Sequence, residues 1–340
     1  MGEKKINRRQ FLKTLPYGGA LAGGAVMSSA GIMAGAGTAQ AASQKLKLKF
    51  AVHTGGTIEE ICKRFKALVE KKSNGEIIIN LYLKAQLGGE KDQIEGVRLG
   101  TIDVTFNSGV IGQWVPQAGV ADLPFIYKDY EQAYRAINGP FIDALHHRFE
   151  TAGFRTLGIA VNTPRETLAK KPLRTLDDWK NFKIRVPEVP IFIECFQSLG
   201  AVPTPVAWPE VYGALQTGIV DGVESAAIYL YGNKHYELCK YFIPTSHIFN
   251  QESIICSESW YRRQPEDVQN ILMEAGKESF DEFKTKRWDH HREATQKMLD
   301  AGVQLVQPDR EALARAVRPL HQKFADKYQV GDLLEKMQNA

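Results

Sequence analysis

The sequence predicts an α/β protein of two domains, with a long helix that lies across both. From residue 46 onward, strand-like and helix-like segments alternate, which is the order typical of parallel β-α-β units. The chain has 340 residues, of which 44% are hydrophobic and 24% charged, so it is long enough for two domains. The segment from Pro265 to Leu299 keeps one helical period, and a helix of that length is on the order of 50 Å long. One small domain cannot cover such a helix, so we expect it to lie across two domains or to kink between them.

The first 41 residues have the pattern of a cleaved export signal. Arg8 and Arg9 stand in "INRRQFLKT", a Gly/Ala-rich stretch follows, and "TAQAA" supplies a small-residue cleavage site after Ala41. The paired arginines and the weakly apolar stretch predict the twin-arginine (Tat) route, and a membrane anchor is the alternative. We therefore expect a soluble periplasmic mature protein. This segment carries the whole net charge of +4, so the neutral remainder does not indicate a nucleic-acid partner.

The individual elements follow from local patterns. Leu46–His53 alternates as "LKLKFAVH", a strand signal, and residues 57–72 space apolar side chains as a helix does. A short helix in "LGGEKDQIEGVRLG" should end at Gly100. The other predicted strands are 76–83, 101–108, 155–161, 183–186, 219–223 and 252–256.

Motifs for catalysis, cofactors and metals are not found in the sequence. There is no Gly-x-Ser-x-Gly, His-Glu-x-x-His or Walker A loop, and the adjacent histidine pairs at 146–147 and 290–291 point apart on a helix. Cys62, Cys195, Cys239 and Cys256 form no Cys-x-x-Cys pair, which argues against a zinc site. Disulfides stay possible in the periplasm, but apolar surroundings favour buried free thiols. We predict a protein without cofactor, metal or enzymatic activity.

Polar residues gather at the predicted strand ends. In open parallel sheets, a ligand crevice lies outside the carboxyl ends of the strands, so residues scattered along the chain are expected to converge there. The residues at these positions are His53, Ser108, Arg165, Arg185, Glu224 and Ser225.

Long tracts of the chain resemble the substrate-binding proteins of tripartite ATP-independent periplasmic (TRAP) transporters. The resemblance rests on "KIRVPEVP", "LGAVPTPVAWPEVYGALQTGIVDGVES", "NKHYELCKYFIPTSHI" and "LYLKAQLGGEKDQIEGVRLGTIDV", and it covers essentially the whole mature chain. It implies a two-domain periplasmic binding protein fold, with a hinge, that closes over an organic acid. We place domain I at 42–162 and 251–290, and domain II at 163–250 and 291–340. The resemblance also implies delivery to membrane permease subunits, and we expect a monomer.

The same resemblance implies site residues. Arg185, in the "RVP" motif, matches the arginine that pairs with the ligand carboxylate, and Arg165 matches a second ligand-facing arginine of some members. Ser225, in "DGVES", stands where many members have asparagine in a pattern like "DGQEN", so ligand identity does not transfer from those members. Further pocket positions correspond to His53, Glu90, Ser108 and Trp208.

The chemistry of Arg185 agrees with that role. A guanidinium binds a carboxylate through two parallel hydrogen bonds, and Pro187 restrains the strand end that carries Arg185. The sequence is compatible with two classes of ligand. A C4-dicarboxylate would bridge Arg165 and Arg185, whereas a hydroxylated or sugar acid would place one carboxylate at Arg185. Glu90 would repel a second carboxylate, which favours the sugar acid. A Tat-exported enzyme and a structural periplasmic protein are the alternatives from other classes.

Overall fold

The computed structural model describes residues 45–139, 141–284 and 286–339, so the predicted signal peptide lies outside the described residues. The strands of the described chain are Leu46–Ala51 (β1), Ile77–Tyr82 (β2), Val104–Asn107 (β3), Phe154–Val161 (β4), Arg165–Ala169 (β5), Lys183–Val186 (β6), Val202–Pro205 (β7), Gly222–Ala226 (β8), Tyr241–Ile243 (β9), Gln251–Ser257 (β10) and Gln304–Leu305 (β11). They form two β-sheets, with strand orders β2-β1-β3-β10-β4 and β11-β9-β5-β8-β6-β7.

Helices cover both sheets. The α-helices of the described ranges are Thr57–Lys72 (α1), Glu90–Leu99 (α2), Tyr130–Ile137 (α3), Phe141–Thr151 (α4), Pro190–Ser198 (α5), Val211–Gln216 (α6), Ala227–Gly232 (α7), Glu258–Arg262 (α8), Glu266–Phe283 (α9), Lys286–Asp300 (α10), Arg310–Val317 (α11), Pro319–Tyr328 (α12) and Gly331–Gln338 (α13). Short 3-10 helices are Val110–Gln113, Pro116–Asp122, Leu176–Trp179, Trp208–Glu210 and His235–Glu237. The predicted α/β class is confirmed.

The first β-α unit shows how local patterns produce these elements. In β1, Leu48 and Phe50 are buried while Lys47 and Lys49 are exposed, as the alternation predicts. The buried face of α1 includes Ile61 and Phe65, which pack in the core beneath the sheet. Gly100 ends α2 in the left-handed conformation at φ 75°, as the sequence predicts.

The sheets are mixed rather than parallel, which corrects one expectation. Strand β10 runs antiparallel to β3 and β4, and β5 runs antiparallel to β8 and β9. The strand predicted at 219–223 is displaced to Gly222–Ala226, because Ile219 lies in an exposed turn. Strands β5, β7, β9 and β11 were not predicted, since each has five residues or fewer and is too short for a clear alternation.

The helical segment predicted from Pro265 to Leu299 consists of two helices, α9 and α10, with Lys284 in a turn between them. Helix α9 packs against α1 and β4, whereas α10 packs against α7 beside the second sheet. The segment therefore does span both sheets, but not as one helix. No glycine or proline marks the break in the sequence, so packing against two separate units places it there.

A close contact holds α9 against the first sheet. A Cβ atom at Gly276 would lie 2.0 Å from the carbonyl oxygen of Leu157, and one at Gly158 would lie 2.7 Å from the backbone of Gly276. Only glycine at both positions allows the helix and strand backbones to approach this closely.

Two chain segments, residues 162–164 after β4 and residues 244–250 after β9, run side by side from one sheet to the other and are called the crossovers. Asn162 N donates to Asn250 O at 2.9 Å, and Arg165 N donates to Ile248 O at 2.8 Å. These short connections are the covalent links about which two lobes could rotate. The strands of the first sheet come from 46–161 and 251–257, and those of the second come from 165–243 and 304–305. Helices α12 and α13 also contact the 116–122 segment, which lies between β3 and β4 of the first sheet. The predicted domain boundaries therefore stay a prediction.

The described ranges contain no helix long and apolar enough to cross a membrane, and no group of three or more His, Cys, Asp or Glu residues that could hold a metal. All four cysteines are buried free thiols, and burial raises the pKa of each.

Candidate functional site

A cavity of about 310 Å³ lies between the two sheets. Residues from both sheets line the cavity, because the ends of β1 and β3 and the start of α2 face the ends of β6 and β8. Seven of the eight predicted site residues line it: His53, Glu90, Ser108, Arg165, Arg185, Trp208 and Ser225. Glu224 does not line the cavity; it is fully buried behind Arg165.

Arg185 lies on β6 and is only 4% exposed. Its Nε and Nη2 donate to the carbonyl oxygen of Val206 at 2.9 and 2.7 Å, and no carboxylate of the described residues forms an ion pair with it. Burial lowers the pKa of Arg185 to about 10, although Glu224 partly opposes this. The guanidinium therefore stays charged at neutral pH. Its Nη1 has no hydrogen-bond partner in the described chain, so one edge of the fork is available to an anion.

Trp208 positions this guanidinium. The Arg185 Cζ lies 5.2 Å from the centre of the Trp208 ring, a cation–π geometry. The His235 ring packs edge-on against the same indole, with the two ring centres 5.0 Å apart. Burial, with the Arg185 charge, lowers the pKa of His235 to about 3, so this imidazole is neutral at neutral pH. Arg185 thus has aromatic and carbonyl neighbours but no competing cation on this side.

Arg165 differs from Arg185 in having an internal partner. It is the first residue of β5, and its Nε and Nη2 donate to the two carboxylate oxygens of Glu224 at 2.5 and 2.7 Å. His247 Nε2 lies 3.2 Å from Glu224 Oε2. Burial alone would raise the pKa of Glu224, but Arg165 and His247 hold it at about 2. The charge of Arg165 is therefore neutralised within the protein.

On the opposite wall, Glu90 organises the loop after β3. Its carboxylate accepts from Ser108 N at 2.6 Å, from Ser108 Oγ at 2.9 Å and from Val110 N at 3.4 Å. His53 Nε2 lies 3.5 Å from Glu90 Oε2 and 3.3 Å from Ser108 Oγ. Glu90, Ser108 and His53 form one hydrogen-bonded wall of carboxylate, hydroxyl and imidazole groups, which suits the hydroxyls of a ligand.

Several polar groups on the cavity wall have no partner among the described residues. These are His53 Nδ1, Thr54 Oγ1 and Trp208 Nε1. Ser225 also lines the cavity. Buried polar groups usually have a hydrogen-bond partner, so this concentration is typical of a site that receives a polar molecule.

Contacts between the two groups of elements close the rim. Lys91 Nζ, on α2, lies 3.6 Å from Glu188 Oε2, after β6. Gln113 Nε2 donates to the Glu188 carbonyl oxygen at 2.6 Å. Lys91, Arg165 and Arg185 are the cations that line the cavity, and only Arg185 has no ion pair with a carboxylate of the described chain.

The sequence interpretation missed several residues of the site. Arg165 and Ser225 were expected in loops after strands, but they lie on antiparallel strands β5 and β8, whose ends meet because Arg165 pairs with Ala226. His247 and the Val206 carbonyl were not predicted. His247 lies within the family tract "NKHYELCKYFIPTSHI", which was the available signal, whereas no side-chain pattern marks a backbone carbonyl.

Comparison with known proteins identifies the family. The model for bacterial extracellular solute-binding proteins of family 7 matches residues 51–327. The chain belongs to this family. A sialic acid-binding periplasmic protein of Vibrio cholerae is 30% identical over 285 residues, covering 83% of this chain and 89% of its own. A C4-dicarboxylate-binding periplasmic protein of Rhodobacter capsulatus is 30% identical over 272 residues, covering 78% and 81%.

Solved TRAP solute-binding proteins share the fold of this family member. One from Sulfitobacter sp. NAS-14.1, with bound β-D-galacturonate, has a TM-score of 0.83 and 28% identity, covering 86% of this chain and all of its own. One from Polaromonas sp. JS666, bound to D-erythronate, has a TM-score of 0.82 and 25% identity, covering 86% and 98%. The predicted TRAP solute-binding family and two-domain fold are confirmed. The family is periplasmic and consists of receptors rather than enzymes.

Proposed function

We propose that this TRAP solute-binding protein binds a sugar acid through a single carboxylate at Arg185 and delivers it to the membrane permease subunits of its transporter. The observation that carries the proposal is the buried Arg185 guanidinium, which lines the cavity without a carboxylate partner in the described chain. A ligand carboxylate would meet its free edge and offset the cost of burying the charge. Structural neighbours contain galacturonate and erythronate, which supports this ligand class.

The charges around the cavity favour one carboxylate over two. Arg165 is already paired with Glu224, and Lys91 with Glu188, so a second ligand carboxylate would find no second unpaired Lys or Arg among the residues that line the cavity. It would also lie near Glu90. The hydroxyls of a sugar acid, by contrast, match Glu90, Ser108 and His53. The C4-dicarboxylate alternative is therefore less supported.

Export and assembly complete the proposal. The Arg8–Arg9 pair supports export by the Tat route with cleavage after Ala41, so that the receptor works as a periplasmic protein. We propose that it acts as a monomer without enzymatic activity and that it closes about the two crossovers around the ligand.

Native mass spectrometry of the purified protein, followed by calorimetric titration, tests the function. D-galacturonate, D-glucuronate, D-erythronate and succinate should be compared after unfolding and refolding to remove retained ligand. We expect a sugar acid to bind more tightly than succinate. Removing one partner of a buried ion pair costs about 2–5 kcal/mol, so Arg185→Ala should weaken binding by roughly 30-fold to several thousandfold.

Arg315→Ala is the control, because this arginine is exposed on α11 and does not line the cavity. Its affinity should match that of the parent. Tighter binding of succinate than of any sugar acid would contradict the ligand class. A folded Arg185→Ala variant that binds within threefold of the parent would contradict the site.

A further inference from the structure

A second cavity, of about 410 Å³, adjoins the first. The two share His53, Thr54, Trp208 and Tyr229, so the ring of Trp208 and the residues that follow β1 stand between them. A six-carbon acid held at Arg185 is accommodated by the first cavity, whose volume is at the lower end of the range for ligand sites. The second cavity is therefore not needed for such a ligand.

The lining of the second cavity mixes apolar side chains with several hydrogen-bond donors. It includes Gly55 and Gly56, which precede α1, and Gly56 has φ 66°. No side chain caps the start of α1, so its first backbone N–H groups are open to a ligand. Lys84 contributes an ammonium group that has no ion pair in the described ranges, and Asn233 contributes an amide.

Buried side chains at the boundary point to a ligand independently of the helix start. His53 and Thr54 are 5% and 6% exposed, and both line the two cavities. The Nδ1 atom of His53 and the Oγ1 atom of Thr54 have no partner among the described residues, and neither does Trp208 Nε1. An unpaired buried polar group costs free energy, so these three atoms favour a ligand that passes from one cavity into the other.

We infer that the ligand is longer than a single sugar ring: its carboxylate binds Arg185 and a neutral, hydroxylated extension occupies the second cavity. A neutral extension fits better than a second acid, because Glu59 also lines this cavity and Lys84 is exposed to water. The inference rests on the proposed function, since it takes Arg185 as the carboxylate site.

A matched pair of glycines makes the test specific. Gly232, the last residue of α7, lines only the second cavity, and a Cβ there would meet nothing within 4 Å. Gly213, in α6, also has open space but lines neither cavity. Gly232→Phe should fill the second cavity, whereas Gly213→Phe controls for an added exposed phenylalanine on a helix.

The probes are D-glucuronate and an aldobiouronic acid, in which a neutral sugar is linked to glucuronate. By calorimetry, the parent should bind the aldobiouronic acid at least as tightly as glucuronate. Gly232→Phe should weaken the aldobiouronic acid at least tenfold and leave glucuronate within twofold, and Gly213→Phe should change neither. Lys84→Ala, which adds no bulk, should weaken only the aldobiouronic acid, by about threefold.

The outcomes separate the two ideas. Glucuronate binding without aldobiouronic acid binding would overturn the extension and leave the proposed function intact. Equal effects of Gly232→Phe on both ligands, or no effect on either, would also overturn the extension. If the parent binds neither of these acids and binds none of the sugar acids compared above, the proposed function itself is overturned.

Discussion

Replacing Arg185 by methionine should stabilise the ligand-free protein while it abolishes binding. Burial lowers the pKa of Arg185 well below its usual value, to about 10, and at about 1.4 kcal/mol per tenfold change in proton affinity this corresponds to about 3 kcal/mol against the charged form. Because the folded-state pKa of this base is lowered, the penalty is complete below about pH 10 and decreases only as the pH rises above that value. It therefore applies in full at neutral pH.

The substitution also removes a favourable interaction. The carbonyl oxygen of Val206 loses both donors from Arg185, and an unsatisfied buried acceptor costs about 1–3 kcal/mol. The two effects together predict a gain of about 0–2 kcal/mol in the free energy of unfolding. Methionine is unbranched and fills a similar volume, so little cavity cost is added.

Arg165→Met is the matched comparison, because this arginine is also buried and lines the same cavity. Its removal leaves the Glu224 carboxylate buried without its bidentate partner, and breaking such a pair costs about 3–5 kcal/mol. Two buried arginines of one site should thus shift stability in opposite directions.

Urea unfolding, followed by circular dichroism and by tryptophan fluorescence, measures both effects on protein that has been refolded free of ligand. If Arg185→Met lowers the free energy of unfolding by more than about 1 kcal/mol, the charge of Arg185 is compensated inside the protein. In that case the ligand would not be the counter-ion of Arg185. Addition of a sugar acid that the parent binds should raise the stability of the parent but not that of Arg185→Met.

Three further predictions concern other parts of the chain. Burial raises the pKa of Asp122 to about 8, so this carboxyl group destabilises the fold increasingly as the pH rises from about 4 to 8. The variant Asp122→Asn should therefore be more stable than the parent at pH 8 and only slightly more stable at pH 5. An equal gain at both pH values would be inconsistent with this cause. Gly276→Ala should lower the melting temperature strongly, because its Cβ would overlap the Leu157 carbonyl, whereas Gly213→Ala should be neutral or slightly stabilising; equal melting temperatures would refute the close contact. Replacing both Arg8 and Arg9 by lysine should leave precursor in the cytoplasm, as judged by fractionation, and normal export would exclude the Tat route.

Much of the site could be predicted from the sequence because its residues adjoin strand ends. His53 follows β1, Ser108 follows β3, and Arg185 lies near the end of β6, so their positions follow from local pattern and from the geometry of sheets. The family tracts added Glu90 and Trp208, both of which line the cavity.

Pairings between distant residues could not be predicted in this way. Arg165 and Glu224 are both charged residues near strand ends, and the sequence placed both beside a ligand. The antiparallel pairing of β5 with β8 instead places Glu224 behind Arg165, where the two neutralise each other. Strand direction depends on which edges meet in the fold, and short strands such as β5 contain no local signal for it.

The sequence by itself determined the α/β class, the family, the helical segment that spans both sheets and the arginine on β6. Each of these rests on local periodicity or on contiguous motifs, which can be recognised from residues that are close together in the chain. Only the tertiary structure decided where that helical segment breaks, which of the two arginines has a free edge, and that a second cavity adjoins the first. These properties depend on contacts between residues far apart in the chain, and their energies arise only when the elements pack together.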